Sequence, residues 1–444
     1  MSNKDKLSKK GISRRDFFKN ASMAAGGGLL LGSLPVGASA YAAGQDKIKI
    51  CVVGCGGRGS GAAAQALRAG EDVQLVAMAD AFEDRLQNSF ERLQNQFGDT
   101  DQMDVPEENR FVGFDAYRHA IDLADVVILA TPPGFRPQHL RYAIEQNKHV
   151  FAEKPLATDV AGVKSVLETA RMAEEKQLNV VVGLQRHYQN QYRELHNRTQ
   201  YNSIGQIVSG QVYWNSGGVW VREREAGQSE MEYQMRNWYY FTWLCGDHIL
   251  EQHIHNIDVA NWFIGEYPET AQGMGGREVR KGQDHGEIFD HHFVEFTYPG
   301  GAVISSQCRH QPGTWGRVDE TLQGTAGRVN MGSGRMETYS GRLIYQHNDD
   351  GDRNPYQVEH DELFAAVRNG EYRLNDTENG AMSTMTAILG RMATYSGQMI
   401  TMEEALASDL KLVPDYLSWD VNPPVMPDSD GNYPVAIPGE TSYT

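Results

Sequence analysis

Residues 48–59 read Ile48-Lys49-Ile50-Cys51-Val52-Val53-Gly54-Cys55-Gly56-Gly57-Arg58-Gly59, a short apolar strand that runs straight into a glycine-rich turn. A helix-like run of small residues follows over 62–69, and a second apolar run over 73–79 ends in Asp80. Strand, G-x-G-x-x-G, helix, strand, acid is the order of a dinucleotide-binding unit, and each part has a mechanical reason. Gly54 permits a tight turn. Gly56 lets backbone N–H groups approach a pyrophosphate, with Gly57 and Arg58 beside it. Gly59 lets helix and strand pack closely. Asp80 can accept hydrogen bonds from both ribose hydroxyls of an adenosine, and its charge repels a 2′-phosphate. The expected cofactor is therefore NAD(H) rather than NADP(H), with Arg58 and Arg85 as the nearby cations that bear on that choice.

Working outward, the pattern keeps alternating. Helix is expected over 83–97, a polar loop to 109, and helix again over 117–123. Residues 125–131 form a buried strand closed by Pro132-Pro133, and 139–146 a helix. Residues 149–155, ending Glu153-Lys154-Pro155, read as strand and turn; helix 160–175 and strand 179–183 follow. Strands and helices at this spacing imply a parallel, doubly wound sheet, which binds ligands at the carboxyl ends of its strands. Gly54, Asp80, Thr131, Lys154 and Gln185 all fall at such ends. They should converge on one crevice, with Pro132, Pro133 and Glu153 alongside.

Near Gln185 the pattern changes. A polar helix is expected over 190–202, then strands over 206–214, 270–279, 288–298, 302–310, 316–324 and 342–347. These suggest a large, mostly antiparallel open sheet with helices on one face. The expected division is a dinucleotide domain over 44–185, an α+β domain over 186–413 and an extended tail over 414–444.

Residues 247–264 read as one helix stopped by Gly265, with Leu250, Ile254, Ile257, Ala260 and Ile264 as its apolar stripe. Glu251 and His255, four apart, can touch on the next stripe. A carboxylate there would orient the imidazole and raise its pKa, as suits a general base; a surface ion pair has the same spacing. Lys154, between an acid and a proline at a strand end, can donate to a substrate hydroxyl. Trp214, Trp220, Trp238, Tyr239, Tyr240 and Trp243 crowd around a charged loop, and aromatic faces suit a sugar ring, though core packing accounts for part of them. Arg186, His187, Trp238, Tyr239 and His248 are assigned to the substrate side. His248, Glu251, His255 and His291-His292 could surround a metal ion, but polar packing is the preferred reading and no metal is expected.

The chain carries a net charge of −17 over 444 residues, and its first 19 residues hold seven Lys/Arg against two Asp, so the remainder is more acidic still. An acidic chain with no basic patch argues against nucleic acid and anionic membrane surfaces. Its four cysteines form no C-x-x-C pair, which argues against a cysteine-built zinc site. At the N-terminus, Ser13-Arg14-Arg15-Asp16-Phe17-Phe18-Lys19 matches the twin-arginine pattern. A modestly apolar run follows over 21–36, too short to be a comfortable membrane span, then small-residue cleavage candidates near 38–43. The expectation is export of the folded protein through the twin-arginine machinery to a bacterial periplasm. Residues 1–43 would be lost and no stable membrane anchor would remain.

Taken together, these motifs resemble the glucose–fructose oxidoreductase and inositol dehydrogenase (Gfo/Idh/MocA) family. The resemblance runs through residues 52–59, Ala130-Thr131-Pro132-Pro133, Glu153-Lys154-Pro155-Leu156, residues 182–186, 251–258 and 389–397. It implies a Rossmann domain plus an open-sheet domain, and NAD(P)-dependent oxidation or reduction of sugars, cyclitols or their derivatives. The family's catalytic lysine falls on Lys154 and its histidine on His255. Where the family often has Asp four residues earlier, this chain has Glu251. A tightly held cofactor would suit a periplasmic enzyme, and association through the open sheet is expected. Two alternatives stand beside hydride transfer: a glycosidase using NAD as a transient oxidant, and a non-catalytic sugar-binding protein.

Overall fold

The structure, a computed structural model, describes residues 47–442; the expected export segment over 1–43 lies outside the described residues. Six parallel strands form the first sheet: β1 (Ile48–Val53), β2 (Val73–Asp80), β3 (Arg110–Val112), β4 (Val126–Leu129), β5 (His149–Ala152) and β6 (Val180–Val182). Their order is β3-β2-β1-β4-β5-β6. The chain reverses direction across the sheet between β1 and β4, and this switch point opens the crevice. Strands β4, β5 and β6 are apolar at nearly every position because helices cover both faces, as in other parallel sheets.

The second sheet has nine strands: β7 (Ile207–Ser216), β8 (Thr270–Gly276), β9 (His291–Thr297), β10 (Val303–His310), β11 (Arg317–Gly324), β12 (Gly327–Asn330), β13 (Arg335–Thr338), β14 (Leu343–Gln346) and β15 (Ile400–Thr401). Their order is β14-β13-β12-β11-β7-β10-β9-β8-β15, antiparallel except between β7 and β10. Burial alternates along β9 and β10, so one face is covered and the other open. The covering elements include helix Ile254–Ile264 and the 20-residue helix Thr377–Ser396, which packs on β8, β9 and helix Val160–Glu175. Among the described residues, no helix is long and apolar enough to cross a membrane.

The expected strands are shorter than their apolar runs: 270–279 ends at Gly276, and 288–298 begins only at His291. The larger correction concerns the helix expected over 247–264. It is two helices, a single turn His248–Glu251 and then Ile254–Ile264, broken at Gln252 and His253.

Candidate active site

The glycine loop forms the floor of the crevice. Gly54 has φ +96°, and a Cβ there would lie 2.5 Å from the Ala130 carbonyl carbon, so glycine lets β1 and β4 come together. A Cβ on Gly59 would lie 1.8 Å from the Gly54 carbonyl oxygen. On Gly56 or Gly57 it would meet nothing described within 4 Å. Those two glycines face open space, and helix Gly57–Arg68 starts with no side-chain cap on its N–H groups. An open cradle at an uncapped helix N-terminus fits a pyrophosphate.

The crevice has a volume of about 390 Å³ and runs past Gly54, Gly56, Gly57, Asp80, Thr131 and Pro132. Asp80 accepts from the Cys55 N–H at 2.6 Å and the Phe82 N–H at 2.9 Å, which aims its carboxylate. Burial pushes its pKa up despite those bonds. A carboxylate offers about four acceptor sites, so two remain for ribose hydroxyls. Asp80→Ser should weaken NAD⁺ binding by about 1–3 kcal/mol and narrow the gap to NADP⁺, measured by titration of both nucleotides. A wild-type preference for NADP⁺ would contradict this role.

Several expected cofactor contacts are redirected. The Arg58 guanidinium turns to Glu153, Gln65 (2.8 Å) and Glu359 (3.2 Å), so it braces the loop while its side chain still lines the crevice. Glu153, 7% exposed, meets that guanidinium through Oε1. Pro133 is buried at the start of a short turn, whereas Thr131 Oγ1 lies 3.3 Å from His139 Nδ1 at the crevice. Gln185 keeps a buried Oε1 without a partner among the described residues. Opposite the Rossmann sheet, Trp220, Arg222, Arg236 and Trp238 close the crevice. Trp419 from the tail packs on the lining residues Phe82 and Phe114 at 5.1 and 4.6 Å, a support that sequence reasoning missed because it lies more than 300 positions away in the chain.

Lys154 emerges just beyond β5 with its side chain 12% exposed. Its Nζ donates to the Glu251 main-chain carbonyl and, at 3.0 Å, to Glu251 Oε1. Glu251 therefore serves the lysine and not His255. The helix break explains the difference: the His255 N–H goes to the Gln252 carbonyl at 3.3 Å, which leaves the Glu251 carbonyl for the ammonium. His255 is 7% exposed and stacks on Trp214, with centroids 5.9 Å apart. Its Nδ1 is buried without a partner among the described residues, which leaves Nε2 for a ligand. Burial, with the charges of Lys154, Arg186 and Arg58, drives its pKa well below the ordinary imidazole value. The expected upward shift is thus reversed, and the ring is a neutral base at neutral pH.

Three residues assigned to the substrate side are occupied elsewhere. Arg186 pairs with the buried Glu320, which also accepts from Tyr192 and Asn256. His187 is 2.7 Å from Asp258 and stacks on Trp262. His248 has no exposed surface and donates to Asp247 at 2.7 Å. Trp238 does line the crevice, and Tyr239 is 2% exposed, with a hydroxyl that has no partner among the described residues. Because the helix breaks at Gln252 and His253, His248 and Glu251 lie on one turn and His255 on the next helix. Asp247, His248 and His292 do bring ligand-type atoms within 4.8 Å of one another. The Asp247 oxygens already accept from Phe289, Tyr395 and His248, so a metal would have to strip those bonds.

A Rossmann sheet with a glycine cradle, joined to a broad open sheet, defines a dinucleotide-binding oxidoreductase architecture. Two family models match: the Gfo/Idh/MocA oxidoreductase family, NAD-binding Rossmann fold, over residues 48–184, and the Gfo/Idh/MocA C-terminal domain over 192–330. Together they cover more than half of the chain, and it belongs to this family; its Rossmann domain is NAD-binding. Myo-inositol 2-dehydrogenase of Thermotoga maritima is 22% identical over 81% of this chain and 100% of its own length. The 2,7-anhydro-N-acetylneuraminate hydratase of Escherichia coli is 26% identical over 47% of this chain and 55% of its own. The chain thus spans about half the length of the first curated relatives it matches. Among solved structures, scyllo-inositol dehydrogenase from Lactobacillus casei with NAD(H) and scyllo-inositol superposes with a TM-score of 0.61. That match is 18% identical and covers 81% of this chain and 100% of the other.

Proposed function

We propose that this chain is an NAD-dependent oxidoreductase acting on a secondary hydroxyl or ketone of a sugar, cyclitol or glycoside, with a tightly held cofactor. The observation that carries the reading is the pairing of Lys154, gripped by Glu251, with a neutral His255 beside it. NAD⁺ supplies the hydride acceptor when bound. His255 takes the proton of the hydroxyl through Nε2, and Lys154 donates to the same oxygen and steadies the charge that develops there. Glu251 orients Lys154. Trp220 and Trp238 at the crevice, and Trp214 stacked on His255, offer aromatic faces that suit a ring with apolar faces.

The twin-arginine segment supports export to the periplasm, where free NAD⁺ is scarce, so the nucleotide would be carried in and recycled by a second substrate. The open face of the nine-stranded sheet is the surface we assign to self-association. Native mass spectrometry on protein from the periplasmic fraction tests the cofactor and the location together. A co-purifying mass of NAD is expected. Protein confined to the cytoplasm sinks the export reading, and absence of nucleotide with no binding of added NAD⁺ sinks the enzyme. Similarity to a hydratase supports a second reading in which redox assists elimination and water addition. Release of reducing sugar without net NADH would favour it.

The neutral His255 also sets a pH dependence. A base whose protonation is disfavoured stays competent as pH falls, so kcat/KM should hold through about pH 6.5, where an ordinary imidazole is lost. A pH–rate profile on an inositol or aldose found active checks this. An acidic limb at or above that value contradicts His255 as the base.

A further inference from the structure

Asp247 is a fully buried, non-glycine residue with φ +78° and ψ 161°. That backbone region is strained for a side-chain-bearing residue, so its surroundings must over-determine it. They do. Oδ1 accepts from the His248 main-chain N–H and from His248 Nδ1 at 2.7 Å. Oδ2 accepts from the Phe289 N–H at 3.0 Å and from the Tyr395 hydroxyl, and His292 Nε2 lies 3.3 Å away. These partners come from the single helical turn itself, from the segment before β9, from β9, and from helix Thr377–Ser396. At the other end of the turn, Gln252 Oε1 meets His310 Nε2 of β10 at 2.7 Å.

One helical turn is therefore bolted to the second sheet at both ends, and its last residue, Glu251, holds Lys154 twice. Were the helix continuous, the Glu251 carbonyl would lie along the helix axis toward the N–H four residues on, and the lysine would have to share it. We propose that Asp247 is a positioning residue for Lys154: its buried carboxylate fixes the start of the His248–Glu251 turn and so presents both Glu251 oxygens to the ammonium. This rests on Lys154 being the substrate-facing donor, but its first test does not depend on turnover.

The test is a double-mutant cycle between Asp247→Gly and Glu251→Ala. Glycine accepts φ +78° freely, so the first change removes the carboxylate without adding backbone strain. The readout is trace acetylation of Lys154 by acetic anhydride, quantified by peptide mass spectrometry against surface lysines. Each single change should raise Lys154 labelling, Asp247→Gly about tenfold and Glu251→Ala by no more than that, and the double variant should go no further than Asp247→Gly alone, because loosening the turn already withdraws the carboxylate that Glu251→Ala removes. Turnover should fall in the same order, while the NAD⁺ dissociation constant stays within about twofold, since the cradle is untouched. Wild-type labelling in folded Asp247→Gly, or effects that multiply in the double variant, would overturn the proposal. Should Asp247→Gly not fold, Tyr395→Phe enters the same cycle with the same expectation. If Lys154→Ala keeps full turnover while labelling obeys the cycle, the catalytic reading falls and the positioning role stands.

Discussion

His255→Ala and Lys154→Ala should each lower turnover by about 10²-fold or more, the range for a positioned base or a donor at a developing negative charge. The two losses differ in character. Without His255 the hydroxyl proton has no neutral acceptor at the Trp214 stack, and its oxygen is still held. Without Lys154 the oxygen loses its donor, and His255 also loses the cation that helps keep it neutral, so its pKa should rise. The pH–rate profile of residual Lys154→Ala activity should therefore show its acidic limb moved upward. NAD⁺ affinity should survive both changes, because the cradle around Gly54 to Gly59 is backbone. Near-normal turnover of His255→Ala would remove it as the base; buried His248 could not replace it.

The second large effect separates folding from binding within one loop. Gly59→Ala places a methyl group 1.8 Å from the Gly54 carbonyl oxygen and 3.3 Å from Ala130 Cβ. Backbone cannot yield as a side chain does, so β1 and helix Gly57–Arg68 must separate. A destabilisation of about 1–3 kcal/mol and loss of nucleotide binding are expected. Gly56→Ala is the contrast. Its φ of −72° and ψ of −174° suit alanine, and the methyl group enters open space. That variant should melt like wild type without nucleotide, yet lose the rise in melting temperature that NAD⁺ gives wild type. Thermal melts with and without NAD⁺ decide it. Equal melting of the two nucleotide-free variants would mean that the close packing at Gly59 is not structural.

The Rossmann half was legible because its signals are local: an apolar strand, a turn that needs glycine, and an acid at the next strand end. The second half was harder for identifiable reasons. The apolar stripe Leu250, Ile254, Ile257 keeps helical spacing across a real break, and the break is imposed by Phe289, Tyr395 and His310, which lie far along the chain. Spacing thus paired Glu251 with His255, whereas its carboxylate meets Lys154. Helix Thr377–Ser396 is buried on nearly every side, so it has no polar face whose period could reveal it. Arg186 and His248 look like substrate ligands until Glu320 is seen to hold Arg186 Nη1 and Asp247 to hold His248 Nδ1. Whether a polar side chain is available or already spent is a property of distant partners, which spacing does not encode.

The Arg58 guanidinium joins the phosphate-binding loop to Glu153, the residue before Lys154, and to Glu359 on helix Pro355–Arg368. Mechanically this is a truss: three members far apart in sequence share one pin, and load on any member reaches the others. Retuning phosphate preference at position 58 is therefore never a change to the cofactor site alone. Shortening that side chain removes the partner of Glu153, the neighbour of Lys154, so a swap meant to alter which nucleotide binds should, on the proposed mechanism, also alter how fast the bound one is used.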